Sequence, residues 1–286
     1  MTTLTNKVDF AVIIGVKHAN PNGDPLNGNR PRVDYNGYGE ISDVAIKRKI
    51  RNRLMQKSHS IFVQSDDNKI DDYPSLRKRA EGELSKDVWK DNDKAYKAAC
   101  EKWLDVRAFG QVFAYSGGSG GAAGVSVGVR GPVSVHPAFS VAPVLDRSSS
   151  IQITKSVSGE GDGQKKSSDT MGMKHRVDHG VYVFYGSMNP QLSTKTGFSD
   201  DDAQAIKEAL STLFRNDASS ARPEGSMEVY KLFWWEHNSP NGQYSSAKVH
   251  RLLKVEPASD DPKSIEDYDI QLAELPDLKC EVIEGE

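Results

Sequence analysis

Cysteine is scarce in this chain. Cys100 and Cys280 are the only two, and neither stands in a metal-type spacing. A disulfide scaffold or a thiolate metal centre is not indicated, and a reducing, cytoplasmic setting is expected. No apolar run approaches the ~18 residues that cross a bilayer. The opening MTTLTNKVDF lacks the basic-then-apolar order of a secretory leader. The glycine-rich stretch after Tyr115 is not closed by the Gly-Lys-Ser/Thr of a phosphate-binding loop, so nucleotide hydrolysis finds little support. The seven histidines include no HExxH pair, and a lone histidine is more often structural than catalytic. No internal repeat and no heptad pattern is present.

What is there suits a soluble globular chain. Hydrophobic residues make up 37% and charged residues 27% of 286 positions, enough for one large domain with insertions or two modest ones. The net charge of -3 argues against a nucleic-acid binder until its distribution is considered. Residues 256–286 hold eleven acids and two lysines, and residues 1–57 hold ten basic and five acidic residues. Binding follows local potential rather than the sum.

Val8 to Val16 (VDFAVIIGV) reads as a buried strand. The Asn-, Gly- and Pro-dense segment from His18 to Glu40 reads as a long ordered loop, a kind that is usually functional. Ser42 caps an expected helix with Ile46, Ile50 and Leu54 on one face. Residues 58–107 are polar and charge-rich, with Trp89, Tyr96, Cys100 and Trp103 near helical spacing. They suggest a small helical insertion. Strand-like pieces at Ile151–Thr154 and Val177–Gly186 flank a polar stretch and predict a long hairpin. Ser199 with Asp202 matches a capping box ahead of a helix over Ala203–Phe214. Met227–Glu236 and Val249–Val255 read as strands, and an acidic segment follows. The order strand, helix, strands, helix, strand predicts an α+β palm with an antiparallel sheet, of which the ferredoxin-like arrangement is the simplest fit.

The basic helix is the strongest physical signal. Lys47, Arg48, Lys49, Arg51, Arg53 and Lys57 share it with one acid, Asp43. Lys47 and Arg51 lie four apart and repel unless an anion compensates, as an RNA backbone does. A solvated helix face is the plain alternative. Gly128-Val129-Arg130-Gly131 lets backbone amides approach an anion, or is a loop between strands. Met171, Met173, Lys174 and His175 mix soft apolar side chains with cations, which suits a wedge between bases held by phosphate contacts. Core methionine beside surface lysine is the alternative there. Asp24 and Asp34, among Asn22, Asn27 and Asn29, offer oxygen ligands for Mg²⁺, or simply Asx-turns.

Several linked motifs, in order along nearly the whole chain, resemble the Cas-seven family, and most of all its type I-C variant, often called Csd-two. They are Asn20-Pro21-Asn22-Gly23-Asp24-Pro25, Gly28 to Arg32, Ser42-Asp43-Val44 with Lys47 to Arg51, Gly128 to Pro132, Met171 to His175, and Ala221 to Val229. The resemblance implies a right-hand shape: an RRM-like palm (1–57 and 107–286), a helical finger insertion (58–106), a β-hairpin thumb (148–177) and an acidic C-terminal segment (256–286). It implies a non-catalytic subunit that stacks with neighbouring copies of itself along crRNA, kinks the RNA at regular intervals and presents bases for pairing with target DNA. Other Cascade subunits (the Cas-five and Cas-eight families and a small subunit) and a recruited Cas-three nuclease-helicase would be partners. RNA contacts are expected at Asn20, Asn22, Arg32, Lys47, Arg48, Arg51, Arg130, Arg147, Met171, Met173, Lys174, His175 and Arg222, with no cofactor. The alternative is a metal-dependent endoribonuclease of the type III backbone kind using Asp24 or Asp34. Strand one offers only Phe10 as an aromatic, so phosphate gripping is expected in place of base stacking on the sheet.

Overall fold

The computed structural model describes residues 2–115, 125–144, 148–154 and 170–286. In chain order, β1 (Val8–Ala19), the short β2 (Gly23–Asp24) and β3 (Arg30–Pro31), and β4 (Tyr38–Ile41) lead into α1 (Asp43–Gln56). Next come α2 (Leu76–Glu83), α3 (Asn92–Lys102), α4 (Leu104–Phe109), β5 (Gln111–Tyr115) and β6 (Val125–Val129). They are followed by β7 (Val133–Val135), β8 (Ala138–Pro143), β9 (Ser148–Thr154), β10 (Thr170–Met188), α5 (Pro190–Thr196) and α6 (Asp200–Ser211). The set ends with β11 (Met227–Glu236), α7 (Ser246–His250), β12 (Leu253–Pro257), β13 (Tyr268–Leu272) and β14 (Cys280–Glu284).

Strand β1 is apolar along most of its length, as a strand buried on both faces requires. It lies inside the main antiparallel sheet, with Ile14 opposite Tyr182 of β10 and Val12 opposite Leu232 of β11. The strand order is β14-β11-β1-β10-β8-β4, and β7 and β9 also pair with β10. Successive side chains point to opposite faces. Phe10, Val12, Ile14, Phe184, Leu232 and Trp234 meet Ile46, Ile50 and Leu54 of α1 and Ile206 and Leu210 of α6. Ala11, Ile13, Val181, Phe233 and Trp235 point the other way. They are covered by Val249, Leu253, Tyr268 and Leu278. Burial of each such large side chain stabilises by about 1.5–3 kcal/mol.

One local expectation is corrected here. Val249–Val255 is not one strand: α7 ends at His250 and β12 begins at Leu253. The acidic segment packs into the fold. It supplies β13 and β14, and its apolar residues Tyr268 and Leu278 are buried against the sheet. Its acids lie mostly in the turns around these strands, as Asp260, Asp261, Glu266, Glu274 and Asp277 do.

A separate core gathers Phe62, Ala99, Trp103, Phe113, Val127 and Val129. The Phe62 ring lies 4.7 Å from Trp103 and 5.1 Å from Phe113. This core joins the helical region to the β5–β6 hairpin, so the packed unit runs past residue 106 to Val129. β9 pairs with the first part of β10, from Thr154 opposite Thr170 to Ser148 opposite Val177. Among the described residues no helix is long and apolar enough to cross a membrane.

Candidate nucleic-acid interface

Four segments converge at one end of β1. They are the turn cluster after Ala19, helix α1, the loop between α6 and β11, and the base of the β9–β10 hairpin. The Asn20 amide N–H donates to the Ala221 carbonyl at 2.9 Å, which ties the turn cluster to the α6–β11 loop. Asn22 Oδ1 accepts from the Ser42 amide at 2.9 Å. Ser42 Oγ in turn accepts from Ala45 at 3.3 Å as the N-cap of α1. These side chains fix where α1 begins, and with it where its cations point.

Not every cation of α1 is open to a ligand. Arg51 Nε donates to Asp105 Oδ2 at 2.9 Å, with the two side chains 13% and 1% exposed. Asp105 also accepts the amides of Phe62 and Val63. Arg53 is buried against Thr212, and Lys57 pairs with Glu208 at 2.6 Å. The repulsion between Arg51 and Lys47 is thus answered, on the Arg51 side, by a carboxylate of the fold. Lys47 pairs with Asp43 on its own helix at 3.0 Å. Arg48 is the exposed member, and among the described residues its ion pair is with the outlying Asp67 at 3.3 Å.

Arg48, Lys49 and Arg222 line a polar cleft of about 370 Å³ together with Asn22, Asn52 and Asp217. Lys49 is buried, pairs with Asp217 and lies over the Phe214 ring. Burial lowers its ammonium from 10.5 to about 8, against the pull of Asp217 and with a push from Arg222 and Arg48. Arg222 Nε is 3.4 Å from the same Asp217 carboxylate and makes no hydrogen bond of good geometry. Three cations thus face two acids, Asp67 and Asp217, and such a seat favours a further anion.

The hairpin base borders this cleft. Between Gly172 and His175 the β9–β10 register slips by one residue, and such a bulge re-aims side chains. Met173 there is 65% exposed, and Lys174 Nζ donates to the Ser220 carbonyl at 3.1 Å. His175 is turned inward. Burial and the nearby Arg30 hold its imidazole below the ordinary value.

The remaining expected residues divide. Asn20 is buried and donates to the Asn29 carbonyl at 2.7 Å, a structural place rather than an open contact. Arg32 is half-exposed between Asp24 and Glu40, each 3.8 Å away. Arg130 is exposed at the end of β6. Arg147 lies outside the described residues, as does the side chain of Met171. Asp24 accepts the Leu26 amide at 3.1 Å, and Asp34 accepts those of Asn36 and Tyr38 at 2.8 and 2.9 Å. Both carboxylates are engaged in their own turns. Lys49 and Asp217 were not singled out from sequence as contacts. Gly124-Val125-Ser126-Val127-Gly128 has the spacing of a nucleophile elbow. Ser126 lies inside β6 opposite Ala114, not on the strand-to-helix turn that such a nucleophile needs.

The family described as CRISPR-associated protein Cas7 matches residues 6–273. The chain belongs to this family. A curated Cas7 relative, "CRISPR-associated protein Cas7" of Haloferax volcanii, is 24% identical over 288 aligned positions, covering 96% of this chain and 83% of that protein. Two solved structures resemble it more loosely. "CRISPR RNA-guided surveillance complex, pre-nicking" has a TM-score of 0.44 at 14% identity, covering 80% of this chain and 78% of that one. "CRISPR RNA-guided surveillance complex" has a TM-score of 0.42 at 16% identity, covering 80% and 68%. In this Cas7 chain the motifs Asn20–Pro25, Lys47–Arg51, Met171–His175 and Ala221–Val229 all contribute to the four converging segments, although they are far apart in sequence.

Proposed function

We propose that this chain is a guide-RNA-binding backbone subunit of a type I-C Cascade surveillance complex and performs no catalysis itself. The observation that carries the reading is the under-neutralised cleft of Arg48, Lys49 and Arg222, whose lining loop Lys174 holds through the Ser220 carbonyl. Such a seat suits a phosphodiester, and the exposed Met173 next to Lys174 in the chain suits a wedge between bases. Arg48 and Arg222 grip the backbone first, with Lys174, Lys47, Arg32 and Arg130 as flanking cations.

The order β11-β1-β10-β8, with α1 and α6 on one face, is read as a ferredoxin-like palm. The β9–β10 hairpin serves as thumb and the core around Trp103 as finger. Copies stack along the crRNA, each thumb kinks it at a regular interval, and the bases between kinks pair with target DNA. Sequence is then read by base pairing, and the protein reads the backbone. The covered second face of the sheet supports phosphate gripping over base stacking, because α7 and β12–β13 occupy it. Cas-five and Cas-eight subunits, the small subunit and the Cas-three nuclease-helicase are the partners this role requires.

The test is to purify the chain alone and extract any nucleic acid that comes with it. Large particles holding RNA in evenly stepped protected lengths are expected. An RNA-free monomer that ignores added guide RNA at low salt would refute the reading.

A further inference from the structure

Resting on that reading, we propose that Asp217 holds the place of a guide-RNA phosphate in the free chain, and that RNA binding displaces it from Lys49 and Arg222. The carboxylate sits at the floor of the cleft, between the buried Lys49 head and the Arg222 guanidinium. One anion there serves two cations, with Arg48 lining the same space. A phosphate brings the same chemistry, an oxyanion that accepts charge-assisted hydrogen bonds, on a ligand rather than on the chain. Buried Lys49 needs an anion at all times, because an unpaired buried ammonium is costly. An internal stand-in meets that need before RNA arrives.

The loop that carries Asp217 suits exchange. Asn216 takes a left-handed backbone (φ 58°), which asparagine tolerates better than most residues. Ala218, Ser219 and Ser220 are exposed. The thumb base holds this loop through Lys174 on the Ser220 carbonyl, so a phosphate entering beside Lys49 and a change at the thumb act on the same short loop, residues 216–222. Release of Asp217 therefore links occupancy of the palm to the position of Lys174.

The experiment compares binding of a labelled single-stranded RNA of mixed sequence by wild type, Asp217→Asn, Lys49→Gln and the double variant, each first shown folded by thermal melting. Removing a carboxylate from beside the bound phosphate relieves like-charge repulsion, so D217N is expected to bind about fivefold more tightly. The gain shrinks in the K49Q background. A folded D217N that binds no better than wild type overturns the proposal. Should D217N fail to fold, hydrogen exchange on the wild-type protein decides: with RNA bound, exchange in residues 216–222 rises while α1 slows. Slowing of both segments together overturns it. If R48A and R222A also leave binding unchanged, the cleft reading itself has failed. If they weaken binding while D217N gains nothing, only the stand-in has.

Discussion

Arg51 Nε lies 2.9 Å from Asp105 Oδ2, and this pair, buried between α1 and α4, joins α1 to the core around Trp103. Asp105 also holds the amides of Phe62 and Val63, so one carboxylate orders three groups. The basic helix is therefore two things at once: a structural face whose cations meet acids of the fold, and an outward face headed by Arg48.

Arg51→Ala tests that division. Breaking a buried pair leaves Asp105 without its cation and costs about 3–5 kcal/mol. The urea midpoint of R51A should fall accordingly. RNA affinity of the folded fraction should stay at the wild-type value, since Arg51 does not line the cleft. A stable R51A that loses RNA would reverse the assignment.

Arg48→Ala and Arg222→Ala should weaken RNA binding without regard to sequence. Each removed phosphate contact lowers the slope of log affinity against log salt by about 0.7 for single-stranded RNA. Arg48 is half-exposed and its partner Asp67 more so. R48A should therefore leave stability within about 0.5 kcal/mol. Salt titrations of both variants, on two unrelated RNA sequences, give the answer.

Lys49 predicts a pH dependence. Burial lowers it from 10.5 to about 8, so between those values the unfolded chain binds a proton that the folded chain does not. Stability contributed by this group therefore rises with pH across that window. RNA affinity moves the opposite way and falls as pH rises through about 8, by roughly fivefold for one lost contact. K49Q should flatten both profiles. A wild-type affinity that stays level from about pH 7 to about pH 9 excludes Lys49 as a contact.

Much of the fold was legible because local patterns decide it. The apolar run from Val8 is β1, the Ser42 cap opens α1, the Ser199–Asp202 box opens α6, and Met227–Glu236 is β11. The site was less legible, because charge partners are set by tertiary contact. Asp105, Glu208 and Asp217 lie 54, 151 and 168 positions from the cations they meet. No spacing rule along α1 separates Arg51 from Arg48. The burial of His175 beside the bulge of β10 is likewise invisible in Met-Gly-Met-Lys-His. In the acidic segment, summed charge carries no sign of the buried Tyr268 and Leu278 that cover the sheet.

That cover is pinned by Asp9, and its acid response can be derived. Asp9 is fully buried on β1, with Lys7 Nζ at 3.0 Å, His237 Nε2 at 2.9 Å and His250 Nε2 at 3.6 Å. Burial pushes its carboxyl up, but hydrogen bonds from His237, Ser246 and Lys7 outweigh that, and the net shift is downward from 3.8. A lowered carboxyl stabilises the fold above its unfolded value and loses that contribution as pH falls through the folded value. Asp9→Asn keeps the shape and removes the charge, leaving Lys7 without its buried anion. It should cost about 3–5 kcal/mol at neutral pH and remove this part of the acid-induced loss. Urea midpoints measured from neutral pH to below 3.8 check both limbs. Equal acid slopes for wild type and D9N would show that the cover is held by its apolar contacts, Val249, Leu253 and Tyr268 against Ile13 and Trp235, and not by Asp9.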